Sequence, residues 1–274
     1  MRIALVTCAA YPNLSVSDTL LAEELRARGH EVDALVWNGT QPGPTADVVV
    51  IRSSWDYHTA VDDYRAWLHQ VATGSRLLNP APLVEWSLDK GYLLELADRG
   101  VPIPPTVLVE PGFVWAADPA KTVVKPRVGA SSTGVHLAEP GELDRFRADP
   151  DAHRGVMLQE LVDDIGGGEW SIVLVGGSYS HAFQQAGGDG TFEAGRGLGG
   201  ASAQAEAAPE LVAFAERVVS QLPIAPVYVR VDAFVTAHGP VVLEVEVNEP
   251  SLRFDLAPGS AARFADAVLD AVEP

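Results

Sequence analysis

The chain has 274 residues, 47% of them hydrophobic, and a formal net charge of −18 from 19 basic and 37 acidic residues. That length is too great for one small domain and suits two or three lobes, and the apolar content excludes a disordered chain. The acidic balance, without any Lys/Arg cluster, argues against a nucleic-acid or anionic-membrane partner. No apolar run reaches the roughly 18 residues of a membrane span, and no signal-peptide pattern follows Met1, so a cytoplasmic protein is expected.

The first third alternates strands and helices. Residues 2–7 read as a short buried strand ending next to Cys8, the sole cysteine, which excludes an intramolecular disulfide and reads as a core residue. Residues 15–28 read as an amphipathic helix with Ser15 or Asp18 at its start and Gly29 as its stop. Strands at 31–37 and 47–51 and a helix at 61–72 follow. Such alternation predicts a parallel sheet over 1–78, a Rossmann-like lobe. The turn after its first strand, Cys8-Ala-Ala-Tyr-Pro-Asn-Leu-Ser15, holds no glycine. The G-x-G-x-x-G fingerprint is therefore missing, and NAD binding of that kind is not expected.

Asn79-Pro-Ala-Pro82 marks a boundary. Residues 79–105 are expected to be a linker, with a helix at 87–99 stopped by Gly100, then extended chain imposed by Pro102, Pro104 and Pro105. Residues 106–162 read as a small α+β lobe with strands at 106–109, 122–125, 134–138 and 156–161 and a helix near 141–148. The third lobe, 163–274, begins with strands at 169–175 and 179–185 around Gly176-Gly177, a hairpin signal. A glycine-rich stretch (187–200), a helix (209–221), strands at 227–235 and 241–248 and a last helix (260–271) complete it.

The sharpest chemical signal is that C-terminal pair of strands. One reads Tyr228-Val-Arg230-Val-Asp232, the other Leu243-Glu244-Val-Glu246-Val-Asn248-Glu249-Pro250. Side chains alternate faces along a strand, so Arg230 and Asp232 share one face and Glu244, Glu246 and Asn248 share one face. If the two polar faces coincide, three carboxylates, an amide and an arginine converge. Packed carboxylates repel unless a cation lies among them, and oxygen ligands without His or Cys select Mg²⁺ or Mn²⁺. A solvated polar face is the alternative.

Lysine occurs only at 90, 121 and 125, so its positions carry information. Lys125 ends an apolar strand just before Gly129-Ala-Ser-Ser-Thr-Gly134, a small-residue loop that places Ser131 and Ser132 where phosphate oxygens can be held. No Walker A motif occurs. Lys90 is expected in the first turn of the 87–99 helix, where the helix dipole opposes a cation by about 0.3–1 kcal/mol and a phosphate would relieve it. An ordinary turn and an exposed lysine are the respective alternatives. Met157-Leu-Gln159-Glu160-Leu161-Val162 crosses between lobes before Glu169, an arrangement that suits a purine slot with an acid near the ribose hydroxyls. By itself the segment is also an ordinary buried strand. Arg52-Ser53-Ser54-Trp55-Asp-Tyr57-His58 follows the 47–51 strand at the crevice end of an open α/β sheet. There Arg52, Ser53 and Ser54 suit a substrate carboxylate or amide, and Trp55 and Tyr57 a cleft wall. His58 reads as a base or as a structural residue.

Taken in order, these motifs resemble the ATP-grasp superfamily, which includes D-alanine–D-alanine ligase and glutathione synthetase. The resemblance implies an α/β ATP-grasp fold: a Rossmann-like N-terminal lobe and two α+β lobes sandwiching ATP. It implies metal ligation by Asp232, Glu246 and Asn248, phosphate contacts from Arg230, Lys90 and Lys125, and an ATP site completed by Ser131, Ser132, Gln159, Glu160, Leu161, Val162 and Glu169. A substrate carboxylate would become an acyl phosphate and be attacked by a nitrogen nucleophile, giving ADP and phosphate. The loops at 129–134 and 187–200 would exclude water. Arg196 would bind the carboxylate or steady the oxyanion, and Ser251 and Arg253 would hold an amino-acid-like substrate. The Arg52–His58 motif and Glu244-x-Glu246…Glu249-Pro-Ser-Leu252 are similar to a narrower group that contains the cyclo-ligase of cycloserine biosynthesis, an antibiotic pathway. That enzyme closes O-ureido-D-serine. The group often carries an aliphatic residue at the position of Asn248 and glutamate at that of Glu249, so which of the two ligates metal stays open. A homodimer is implied by resemblance alone. The alternatives are an intermolecular amino-acid ligase, a small-molecule kinase and a non-catalytic nucleotide-binding module.

Overall fold

A computed structural model describes residues 1–39, 46–162, 168–185 and 202–272. The N-terminal elements are β1 (Arg2–Thr7), α1 (Val16–Ala27), β2 (Glu31–Val36), β3 (Val48–Ser53), α2 (Val61–Gly74) and β4 (Arg76–Leu78). Their strands form a four-stranded sheet, β2-β1-β3-β4, with every pairing parallel. β3 is buried throughout, as a strand covered on both faces must be. Ser15 caps α1 by accepting from the Asp18 backbone N–H, and Cys8 lies in the core between β1 and the α2 face.

Two short helices follow, α3 (Ala81–Ser87) and α4 (Tyr92–Asp98). The expected single helix at 87–99 is thus broken, and Lys90 lies in the turn between the halves rather than in a first helical turn. Tertiary contacts impose the break. Asp89 Oδ1 accepts from the Gly91 N–H (2.8 Å) and Asp89 Oδ2 pairs with Arg127 Nη2 (2.9 Å), while the Lys90 N–H donates to the Arg127 carbonyl (2.8 Å). Ser87 Oγ donates back to Val84, at the end of a helix rather than its start.

The small lobe contains β5 (Thr106–Leu108), β6 (Thr122–Pro126), β7 (His136–Leu137), α5 (Glu142–Ala148) and β8 (Val156–Glu160). Its antiparallel sheet runs β5-β8-β6-β7 over a core of Val109, Trp115, Val124, Leu143, Phe146 and Leu158. The last part holds β9 (Glu169–Val175), β10 (Ser178–Gln185), β11 (Ser202–Ala205), α6 (Pro209–Ser220), β12 (Tyr228–Thr236), β13 (Gly239–Glu246) and α7 (Ser260–Asp270). These strands form an antiparallel sheet, β11-β10-β9-β12-β13. The short elements β4, β11 and α3 lie outside the sequence expectations.

One hydrophobic cluster joins Ile3, Leu5, Leu21 and Val50 of the N-terminal sheet layer to Val173, Tyr228 and Phe264 of the C-terminal one. The junction is stitched by Asn79. Its Nδ2 donates to the Tyr228 and Val247 carbonyls (2.8 and 2.9 Å), and its Oδ1 accepts from the Val227 N–H (2.6 Å). No helix among the described residues is long and apolar enough to cross a membrane.

Candidate active site

The β12/β13 register pairs Arg230 with Glu246 and Asp232 with Glu244. The two polar faces therefore coincide, and a bulge between Asp232 and Ala233 leaves Leu243 as an extra residue before pairing resumes at Ala233 and Val242. Asp232, Glu244 and Glu246 bring carboxylate oxygens within 4.8 Å of one another. Arg230 spans the group, with Nη2 at 2.8 Å from Asp232 and 2.7 Å from Glu246, and Nη1 donating to the Ser251 carbonyl (3.0 Å). Ser171 Oγ, on the neighbouring β9, donates to Asp232 Oδ1 (2.7 Å) and orients it.

The electrostatics of this patch are those of a site short of positive charge. Burial, reinforced by Glu244 and Asp232 against the pull of Arg230, pushes the Glu246 carboxyl well above its ordinary range. Burial raises Glu169 to about 7, with Asp232 adding to it, and raises Glu249 to about 7 although Lys90 opposes this. Burial also works to raise Glu244, but Lys90 at 2.7 Å overcomes it and leaves that carboxyl below its ordinary value. A divalent cation fits such a set: oxygen donors only, on paired strands, with the Glu246 carboxyl pushed up by burial beside two other carboxylates.

Asn248 does not belong to this set. It is 3% exposed, its Oδ1 accepts from Tyr64 Oη at 2.6 Å, and its Nδ2 has no partner among the described residues. β13 stops at Glu246, so strand alternation does not carry through to 248. The chain instead turns Asn248 into the N-terminal lobe and Glu249 towards the cleft. Of the expected metal ligands, Asp232 and Glu246 lie together with Glu244, and Asn248 is held by Tyr64 instead of lining the cleft. Glu244 was legible on the shared face from alternation alone.

The patch floors a cleft of about 500 Å³ between the two C-terminal lobes. Lys90 and Lys125 both reach it. Lys90 Nζ lies 2.8 Å from the Gly129 carbonyl in addition to Glu244, and Lys125 Nζ donates to Gln159 Oε1 (2.6 Å). Burial lowers Lys125, Glu244 partly opposing it. Burial works to lower Lys90 too, but Glu244 holds it above its ordinary value. Ser131 and Ser132 line the cleft in left-handed backbone (φ 53° and 55°). Gly134 closes their loop at φ 76°, where a Cβ would stand 2.9 Å from Pro126 Cγ. Glu160, Leu161, Val162 and Glu169 line the same cavity, as do Trp55 and Ser251.

Other expected substrate residues are not there. Arg52 is 1% exposed, pairs with Asp18 (2.9 Å) and donates to the Pro250 carbonyl (3.0 Å). Ser53 Oγ donates to Asp18, and Ser54 Oγ is bonded to Tyr64 Oη (3.1 Å). All three are buried and do not line the cleft, their polar groups taken up by Asp18, Pro250 and Tyr64. Arg253 does not line the cleft and pairs with Asp255 (3.1 Å). His58 is bonded locally, Nδ1 to the Trp55 carbonyl (3.1 Å), and Tyr57 is buried with its Oη facing Gly129 (3.4 Å). Arg196 and the 187–200 stretch lie outside the described residues. Tyr11, Phe234 and Leu243 line the cleft without having been anticipated. For Leu243 the alternation pointed to the other face, and the bulge at that residue breaks the alternation, whereas Tyr11 carried a signal in its position in the turn after β1.

Residues 90–248 match the ATP-grasp domain family, and residues 3–79 match the N-terminal domain of D-cycloserine synthetase DcsG. The chain is 33% identical to the cycloserine biosynthesis protein DcsG of Streptomyces lavendulae over 99% of each chain. It superposes on the crystal structure of D-cycloserine synthetase DcsG with a TM-score of 0.85 at 30% identity, covering 100% of both chains. D-alanine–D-alanine ligase of Bacillus anthracis, solved with ATP, shares the fold (TM-score 0.66, 16% identity, 98% of this chain and 96% of that one).

Proposed function

Since the chain belongs to the ATP-grasp family and is an ATP-dependent carbon–nitrogen ligase, we propose that it closes a ring within one amino-acid-type substrate, with O-ureido-D-serine as the best candidate. Likeness to a cycloserine-forming enzyme along the whole chain, including the N-terminal residues 3–79, supports ring closure over a two-substrate ligation. In this reading residues 1–78 are the substrate lobe, 79–105 a linker, and 106–162 and 163–274 the two lobes that sandwich ATP. The observation that carries it is the convergence of Lys90, Lys125, Arg230 and three carboxylates on one cleft.

ATP-grasp ligases use ATP with a divalent metal ion, and we assign Mg²⁺ to Asp232, Glu244 and Glu246, with Glu249 beside them. The ion would supply charge neutralisation at the phosphate oxygens. Lys90 and Lys125 would hold phosphate oxygens, exchanging their present contacts with Gly129 and Gln159 for the ligand. Arg230, already fixed by two carboxylates, would face the transferring phosphoryl group without needing to reorganise. Gln159 to Val162 would flank the adenine and Glu169 the ribose. The substrate carboxylate oxygen attacks the γ-phosphorus and ADP leaves. The nitrogen then attacks the carbonyl carbon, the C–N bond forms, the C–O bond to phosphate breaks and the nitrogen's proton passes to solvent. The Ser131–Ser132 loop would exclude water from the intermediate.

The test is phosphate release from Mg-ATP against amino acids and both O-ureidoserine isomers, with product masses and Glu246→Gln as control. Substrate-dependent ADP and phosphate from one substrate alone, lost in the variant, is the expected result. A requirement for two substrates would replace ring closure with intermolecular ligation, and a stable phosphorylated product would replace the ligase with a kinase.

A further inference from the structure

The N-terminal sheet has the order β2-β1-β3-β4, so the chain leaves β1 towards one edge and β3 towards the other. In an open parallel sheet the crevice outside the carboxyl ends of those two strands is where a ligand binds. In a dinucleotide-binding lobe glycines occupy the first turn there. Here that turn carries Tyr11, and the turn after β3 carries Trp55. The two rings meet edge to face with centroids 5.0 Å apart and an interplanar angle of 83°. Both line the same cleft as the carboxylate patch.

Neither ring is placed by chance packing. The Tyr11 backbone is locked by the Thr7 hydroxyl donating to its carbonyl (2.6 Å) and by its own N–H donating to Cys8 (2.9 Å). Its side chain nonetheless remains 47% exposed, among the few large apolar groups left so. Trp55 is fixed by Nε1 donating to the Glu249 carbonyl (3.0 Å). The residue that receives this bond also lines the cleft while being only 8% exposed. An edge-on pair leaves the faces of the ring supplying the edge uncovered by its partner. Aromatic faces and an acid lining one cleft are the chemistry that receives an ammonium group.

Resting on the amino-acid substrate reading given above, we propose that Tyr11, Trp55 and Glu249 form the subsite for the substrate's free ammonium group and make the enzyme select substrates with an unblocked cationic amine. The substrate would then lie with its ammonium at the switch-point crevice and its carboxylate at Arg230. Arg230 Nη1 is held at the carbonyl of Ser251, two residues beyond Glu249.

Calorimetric binding of O-ureido-D-serine and its N-acetyl derivative to the full chain with Mg²⁺ and AMPPNP tests this. The free amine is expected to bind at least about tenfold more tightly than the acetylated form. Tyr11→Leu should weaken only the free amine, by about tenfold, and Tyr11→Phe should restore it. AMPPNP affinity and melting temperature should hold in both variants, since Tyr11 is half exposed. Equal binding of the two ligands by the wild type, or a Tyr11→Leu effect below twofold or shared equally by both, would overturn the subsite and leave the ligase reading intact. Loss of Mg-dependent AMPPNP binding in Glu249→Gln would give Glu249 to the metal and overturn the ammonium assignment. Failure of the wild type to bind AMPPNP at all would remove the nucleotide reading itself, and the subsite with it.

Discussion

Arg52→Met separates the two roles open to that arginine. Its Nε meets Asp18 Oδ1 at 2.9 Å with both side chains 1% exposed, and its Nη2 meets the Pro250 carbonyl at 3.0 Å. Its guanidinium lies 5.4–5.8 Å from the ring centroids of Tyr228, Phe254 and Phe264. Asp18 also receives the Ser15 hydroxyl (2.8 Å) and that of Ser53, but neither carries a charge. Removing the arginine leaves a carboxylate buried without its counter-ion, and breaking such a pair costs about 3–5 kcal/mol. At about 2–4 °C per kcal/mol for a chain of this size, the melting temperature should fall by roughly 6–20 °C. Replacing both partners, in Asp18→Leu/Arg52→Met, removes the stranded charge and should recover most of the loss. Thermal unfolding of wild type, single and double variants provides the comparison. A single variant that melts like wild type yet loses substrate affinity would refute the structural reading and return Arg52 to the substrate site. A double variant as unstable as the single would refute the charge-pair account.

Three other outcomes follow from the site. Glu246→Gln should lower turnover by at least about a hundredfold while raising the apo melting temperature at pH 8, because it removes a carboxylate whose ionisation burial opposes; a destabilised variant would contradict this. Glu169 and Glu249, each at about 7 in the folded protein, favour folding fully below their unfolded value of about 4.5, and that contribution is lost as pH rises through 7. The apo melting temperature should therefore fall from pH 5 to pH 8 more steeply in wild type than in Glu249→Gln, and saturating Mg-ATP should flatten the fall. His181 acts oppositely: burial lowers it and its Nε2 faces the Leu252 carbonyl at 2.6 Å, so its contribution is lost as pH drops below about 6.5, which makes the comparison with Glu249→Gln the decisive one. Gly134→Ala should cost about 1–3 kcal/mol in melting experiments and raise KM for ATP, since φ 76° and the Pro126 contact both oppose a Cβ; an unchanged KM would detach the loop from the nucleotide.

What was legible in the chain follows the range of the interactions concerned. The polar face of β12 and β13 could be read because side-chain alternation is a property of any strand, and the register then made the two faces meet. Where the strand ends could not be read. Stopping at Glu246 sends Asn248 to Tyr64 and Glu249 to the cleft, and the partner that draws Asn248 away is 184 residues distant. Lys90 was placed in the right cleft from its rarity, but its helix was broken by Arg127, an interaction no local pattern contains. Arg52 and Ser53 look like ligands from their place at the strand end, yet Asp18 claims both. In each case the local rule held and a long-range partner decided the outcome.

These long-range partners share one target. The segment that follows β13 is held at successive residues, although Asn248 Nδ2 has no partner among the described residues. Asn79 holds the Val247 carbonyl, Tyr64 the Asn248 side chain, Trp55 the Glu249 carbonyl, Arg52 the Pro250 carbonyl and Arg230 the Ser251 carbonyl. Three of these donors, Arg52, Trp55 and Tyr64, come from β3 and the turn and helix after it. The run of backbone from Glu246 to Glu249 is thus tied to the N-terminal lobe at Val247, Asn248 and Glu249. A chain lacking the first 78 residues would leave Glu249, Pro250 and Asn248 without these partners and expose the apolar surface around Tyr228 and Phe264. The N-terminal lobe is therefore a part of the carboxylate patch's framework as well as a wall of its cleft.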